Sequence, residues 1–153
     1  MIENNVINRM IRVLRLVVIS FLISVLASCS ENQYSKVIIK DPHLYVPLNG
    51  SMMTSGYLGI YNESSDIIEI KGIDCSPIRA EIHETKMNSQ EGMSMKKIDS
   101  FLLEPGENSI FVPGGKHVMF WGLNNYNSEY LRCIFLVSEG QPIEINFLVE
   151  ERG

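Results

Sequence analysis

At 153 residues the chain holds one domain's worth of core, and 45% of its residues are hydrophobic against 20% charged. Thirteen Lys and Arg stand against 18 Asp and Glu, a net charge of −5. That balance argues against a nucleic-acid partner, because phosphate backbones are held by basic surface.

The N-terminus reads as a targeting segment. Arg9, Arg12 and Arg15 precede an uncharged run over 16–27, and small residues surround Cys29. This is the order of a secretory signal peptide over 1–28, and the run is well short of the roughly 20 apolar residues a spanning helix needs. Leu26-Ala27-Ser28-Cys29 resembles the bacterial lipobox, in which the chain is cut before the cysteine and the cysteine is lipidated. The implied protein is a lipoprotein of the bacterial cell envelope facing the periplasm, held at a membrane through Cys29. Ser30 in place of aspartate favours the outer membrane in a Gram-negative cell. Removing 1–28 takes away three Arg and one Glu, leaving ten basic against seventeen acidic residues, a net of −7.

Residues 29–35 are polar and aperiodic and suit a short tether. From 36 on the chain predicts a single domain over 36–150, built of short strands rich in β-branched and aromatic residues. These are expected at 36–40, 55–61, 67–73, 80–84, 93–98, 108–112, 117–123, 131–137 and 143–149. Breaker clusters separate them, among them Glu104-Pro105-Gly106-Glu107 and Pro113-Gly114-Gly115. No segment carries helical apolar spacing over three turns, so the pattern predicts an all-β sandwich or barrel. Cys75 and Cys133 match no CxxC pattern. In an oxidising compartment they form either one disulfide, given Cα atoms about 5.5–6 Å apart, or two buried thiols.

Histidine and methionine stand out against this background. The segment "EIHETKMNSQEGMSM" over 81–95 holds His83, Met87, Met93 and Met95, and His117-Val118-Met119 follows. Alternation along a strand puts His117 and Met119 on one face, Met93 and Met95 on one face, and His83 opposite Ile82. A turn in the 88–92 loop would bring Met95 back towards His83. Imidazole with thioether is a soft donor set suited to Cu(I), while hard cations prefer carboxylate and water. Methionine also brings no proton to a metal site and cannot be lost to a disulfide. The competing reading for Met52, Met53, Met87 and Met93 is that of flexible core filler, and for His43 that of a satisfied surface histidine.

The spacing adds a family resemblance to the metal reading. His83, eleven residues, Met95, twenty-one residues, His117, one residue, Met119 resembles the PCuAC family of periplasmic Cu(I) chaperones. "GYLGIYN" (56–62), "AEIHETKM" (80–87), "GMSMKKI" (92–98) and "LEPGENSIFVPGGKHVMFWGL" (103–123) resemble consecutive family blocks, so the likeness runs over about 36–149. It implies a cupredoxin-like, Greek-key β-sandwich. It also implies one exposed Cu(I) held by His83, Met95, His117 and Met119, with Met87 and Met93 as auxiliary methionines. The implied role is delivery of copper by a monomer to a cytochrome oxidase subunit or its assembly factor. Trp121 departs from the pattern and could wall off one side of the ion. No His- and Met-rich tail follows Val149, so no auxiliary Cu(II) site is expected there.

Two other function classes are weaker. A blue-copper electron carrier needs a thiolate beside its two imidazoles, and neither cysteine is near a histidine in sequence. An envelope lipoprotein with a structural or adhesive role would leave the His and Met residues incidental. No nucleophile elbow, phosphate loop or HExxH helix suggests an enzyme.

Overall fold

A computed structural model of the chain describes residues 14–15, 37–88 and 92–151. Leu14 and Arg15 are helical and belong to a unit, residues 1–33, separate from the one that starts at Tyr34. The rest of the expected signal segment, Cys29 and the tether lie outside the described residues.

Ten strands make up the described part of the second unit: β1 (Val37–Tyr45), β2 (Met53–Asn62), β3 (Ile68–Asp74), β4 (Arg79–Asn88), β5 (Gly92–Lys97), β6 (Phe101–Leu103), β7 (Asn108–Phe111), β8 (Lys116–Trp121), β9 (Tyr130–Val137) and β10 (Ile143–Glu150). All nine expected strands are present. The tenth, β6, is three residues long and lies between Asp99-Ser100 and Glu104-Pro105, too short to show a period.

Period-two burial explains why these segments are strands. In β2, Thr54, Gly56, Leu58, Ile60 and Asn62 are buried while the intervening residues are not, and β9 repeats the pattern with Leu131, Cys133 and Phe135. Each inward Phe, Leu or Ile contributes about 1.5–3 kcal/mol by leaving water.

The strands form one sheet in the order β5-β4-β8-β2-β1-β10-β9-β3-β6, with β7 also paired to β2. The β1–β10 pair is parallel and the other pairs are antiparallel. β2 and β1 separate β8 from β10 along this path, yet the Phe120 and Phe147 rings meet edge to face at 5.2 Å between centroids. Phe111 of β7 and Phe135 of β9 meet at 6.3 Å. The sheet therefore curls over its apolar face and closes a core between its two halves, which bears out the all-β expectation.

Cys75 and Cys133 are joined as a disulfide with Cα atoms 4.2 Å apart, which settles the alternative left open by the sequence. Asp41 sits at φ 46° where the β1–β2 register shifts between Lys40 and His43. That bulge carries β1 past Pro42 to Tyr45, beyond the expected end at residue 40.

Candidate metal centre

The candidate residues come from three neighbouring strands near one edge of the sheet. In β4, Ile82 points into the core, so its neighbours Glu81 and His83 point to the opposite face. In β8, Val118 and Phe120 are core residues, so His117 and Met119 take that same outer face.

Register then fixes the neighbours. His83 is directly opposite His117, Glu81 opposite Met119, and Arg79 opposite Trp121. On the other side of β4, Lys97 is opposite His83, Met95 opposite Thr85, and Met93 opposite Met87. Thr85 shares the face of His83 two residues on, so Met95 is the diagonal neighbour of His83 on that face. Diagonal positions in an antiparallel pair lie about 7–8 Å apart, within reach of a long side chain. The hairpin between β4 and β5 thus returns Met95 towards His83, as the glycine-containing loop predicts.

His83, Met95, His117 and Met119 share one face over three adjacent strands, and the two imidazole centroids are 6.0 Å apart. Their exposure is graded. His117 is 4% exposed and Met119 5%, the His83 side chain is 17% exposed, and Met95 on the edge strand is 59% exposed.

Polar contacts hold the two rings. His117 Nδ1 lies 2.9 Å from the Gly115 carbonyl oxygen, and His83 Nε2 lies 3.1 Å from Glu81 Oε2. Glu81 is itself anchored by Arg79, whose Nη2 donates to Oε1 at 2.9 Å, and by Lys97 Nζ at 3.9 Å. The Arg79 hydrogen bond, followed by that from His83, holds the Glu81 carboxyl below the usual carboxylate range. The Arg79 guanidinium stacks 4.5 Å from the Trp121 ring centroid, and that ring lies 6.1 Å from His83. Trp121 therefore stands at the flank of His83. The Ser55 hydroxyl donates to Met119 Sδ at 3.3 Å and fixes the thioether from β2.

The remaining candidates fall elsewhere. Met87 and Met93 pair near the hairpin end on the same face, two register pairs beyond Met95, and both are exposed. Met52 and Met53 are exposed as well, so the core-filler reading fails for all four. His43 lies on β1, separated from β8 by β2, with Nδ1 2.8 Å from the Asp41 carbonyl oxygen and its ring between Tyr45 and Tyr57. The Cys75–Cys133 bridge ties the end of β3 to β9 and includes none of the four. Among the described residues, no three His, Cys, Asp or Glu side chains gather as a metal-ligand cluster.

Residues 37–149 match the model of the LpqE-like lipoprotein family. The chain belongs to the LpqE-like family. Three solved structures share the fold of this LpqE-like chain. The apo PCuAC domain from PmoF1 aligns with a TM-score of 0.62 at 18% identity, covering 78% of this chain and 98% of that one. The copper-bound PCuAC domain from PmoF2 aligns at 0.61 and 20% identity, covering 78% and 96%. The solution structure of apo-DR1885 from Deinococcus radiodurans aligns at 0.56 and 16% identity, covering 78% and 82%. A comparison with curated proteins finds no match. The PCuAC resemblance read from the sequence is borne out by this family and fold.

Two groups of side chains at the centre escaped the sequence reading. Glu81, Arg79 and Lys97 look like solvated charge on strands, although alternation alone puts Glu81 and Arg79 on the face of His83. The Ser55 contact depends on β2 lying beside β8, which nothing local encodes.

Proposed function

We propose that this LpqE-like protein is a copper chaperone that binds one Cu(I) through His83, Met95, His117 and Met119 and passes it on by ligand exchange. The observation that carries the reading is the register: His83 opposite His117, with Met119 and Met95 on the same face of the flanking positions. Two neutral imidazoles and two thioethers form a soft, uncharged set matched to Cu(I). A PCuAC domain of the same fold, that from PmoF2, is described as copper-bound.

The grading of exposure supports delivery over storage. His117 and Met119 are enclosed and orient the ion, whereas Met95 stands on an edge strand where an incoming donor can replace it. Met87 and Met93 offer auxiliary thioethers further along that face. An acyl group on Cys29 would hold the domain at the envelope membrane, where the recipient would be a cytochrome oxidase subunit or assembly factor.

Anaerobic Cu(I) titration of the purified protein against a chromophoric chelator tests the reading. One tight equivalent, lost in a His83→Ala, Met95→Leu double variant, is the expected result. Absence of competitive binding, or binding that the double variant retains, would leave an envelope lipoprotein without a metal role. Transfer is tested by mixing the loaded protein with a copper-free oxidase copper domain and following which partner holds the metal.

A further inference from the structure

Each histidine of the centre has one ring nitrogen engaged by an oxygen acceptor, and it is a different nitrogen in each. The Gly115 carbonyl can only accept, so in the neutral ring His117 Nδ1 carries the proton and the lone pair lies at Nε2. The Glu81 carboxylate, whose Oε1 receives the Arg79 guanidinium and lies 3.9 Å from Lys97 Nζ, also accepts. In neutral His83 the proton is therefore at Nε2 and the lone pair at Nδ1.

We propose that Glu81 is a positioning residue that makes His83 present Nδ1 to the metal, while the Gly115 carbonyl makes His117 present Nε2. The inference rests on the copper reading above for the identity of the metal and on this chain's own contacts for the choice of nitrogen. Metal-binding histidines commonly donate their other N–H to a carboxylate or a backbone carbonyl, which fixes tautomer and ring orientation, and loss of such a partner costs about 10- to 100-fold in metal affinity. Both kinds of acceptor occur here, one at each ring.

The anchoring of Glu81 argues for a fixed support over a movable one. Its Oε1 receives the Arg79 guanidinium, which is stacked on Trp121, and Lys97 approaches from β5, so Oε2 is held towards His83 from both sides. Trp121, Arg79 and Glu81 together form a line of contacts ending on one imidazole.

Long-range 1H–15N NMR of the histidine rings tests this on the copper-free protein at about pH 8, above the ordinary imidazole range. The expected spectrum shows His83 as the Nε2–H tautomer and His117 as the Nδ1–H tautomer; His83 protonated at Nδ1 overturns the proposal without any metal present. Anaerobic Cu(I) is then added, and the large 15N shifts are expected at His83 Nδ1 and His117 Nε2. A shift at His83 Nε2 would mean that the metal displaces Glu81 and would overturn the positioning role. Rings that Cu(I) leaves unshifted would overturn the copper reading and the ligand half of this inference, while the tautomers are already decided by the first spectrum. In Glu81→Gln, a mixture of His83 tautomers with unchanged His117 signals and a roughly tenfold loss of Cu(I) affinity is expected. Unchanged or tighter binding in that variant overturns the proposal.

Discussion

Met95 and Met119 are the same residue type on the same face, but one is 59% exposed and the other 5%. That contrast separates metal binding from folding. Full burial of a methionine side chain contributes about 1.5–3 kcal/mol, so Met95, with about four-tenths of its surface covered, contributes roughly 1 kcal/mol at most. Met95→Ala should then lower the unfolding free energy of the copper-free protein by no more than about 1 kcal/mol. Met119→Ala removes an enclosed thioether and the acceptor of the Ser55 hydroxyl. It should cost about 3 kcal/mol, within the usual range of roughly 2–5 for large-to-small changes at buried sites.

Met→Leu keeps volume and apolar character, so at either position it should cost less than about 1.5 kcal/mol while deleting a proposed copper donor. Each leucine variant should weaken Cu(I) binding by about tenfold or more, equivalent to about 1.4 kcal/mol. Urea denaturation of the copper-free variants reads the first quantity, and anaerobic chelator competition reads the second. The two meet in the loaded protein. At free copper of about 100 times Kd, binding adds about 2.7 kcal/mol to stability, and a tenfold weaker variant retains about 1.4 kcal/mol of it at the same copper level. Wild-type copper affinity in Met95→Leu would refute the assignment of Met95 as a donor. Equal destabilisation by Met95→Ala and Met119→Ala would refute the graded exposure on which the transfer argument depends.

The disulfide, the sheet packing, Glu81 and the proposed anchor give further predictions. The Cys75–Cys133 bridge closes a loop with a sequence separation of 58, for which chain entropy predicts about 4 kcal/mol of stabilisation; a Cys75→Ala, Cys133→Ala variant measured by denaturant unfolding should lose most of that, and its copper affinity should be retained at copper levels that keep it folded. Gly56→Ala places a Cβ 2.7 Å from Phe120 Cε2 and 3.1 Å from the His43 carbonyl oxygen, so it should cost about 1–3 kcal/mol in a thermal melt. Glu81, its carboxyl held below the usual carboxylate range by Arg79 and then His83, contributes stability that is complete above the unfolded value and lost as pH falls through the lower folded one. Urea midpoints taken from about pH 6 to about pH 3 should fall more steeply for wild type than for Glu81→Gln. Cys29→Ser should release the protein from the membrane fraction on cell fractionation.

Local sequence carried a large share of the fold because most strands are bounded by Pro- and Gly-containing turns and alternate cleanly, as in β2 and β9. It failed at β6, where three residues cannot display a period, and at the end of β1, where a bulge at Asp41 replaces the break that Asp-Pro suggests. The curl of the sheet, which brings Phe120 against Phe147, and the pairing of Cys75 with Cys133 depend on residues far apart in the chain and leave no local mark. At the centre, period-two alternation was enough to put His117 with Met119 and to turn His83 away from Ile82. What alternation cannot supply is the order of strands. β4 lies between β5 and β8, and only that order turns three separate segments into one face.

Under the proposed chaperone role, that order would also explain how a single face could hold an ion and still give it up. β8 is interior, paired on both sides, and its His117 and Met119 are enclosed. β5 is an edge strand with one neighbour, and Met95 on it is open. Donors in the interior would be held by the ladder and by fixed acceptors, so their geometry would persist when the metal left. A donor on the edge can move with little loss of burial, and a partner's thioether or imidazole can approach from that side before any interior donor lets go. Exchange would then begin at Met95 and end at His117 and Met119. On this argument Met95→Leu should change the rate of Cu(I) transfer to an acceptor in stopped-flow mixing by a larger factor than it changes affinity, whereas Met119→Leu should act mainly on affinity. Equal effects of the two variants on rate and affinity would show that the exposed edge gives no preferred route for exchange.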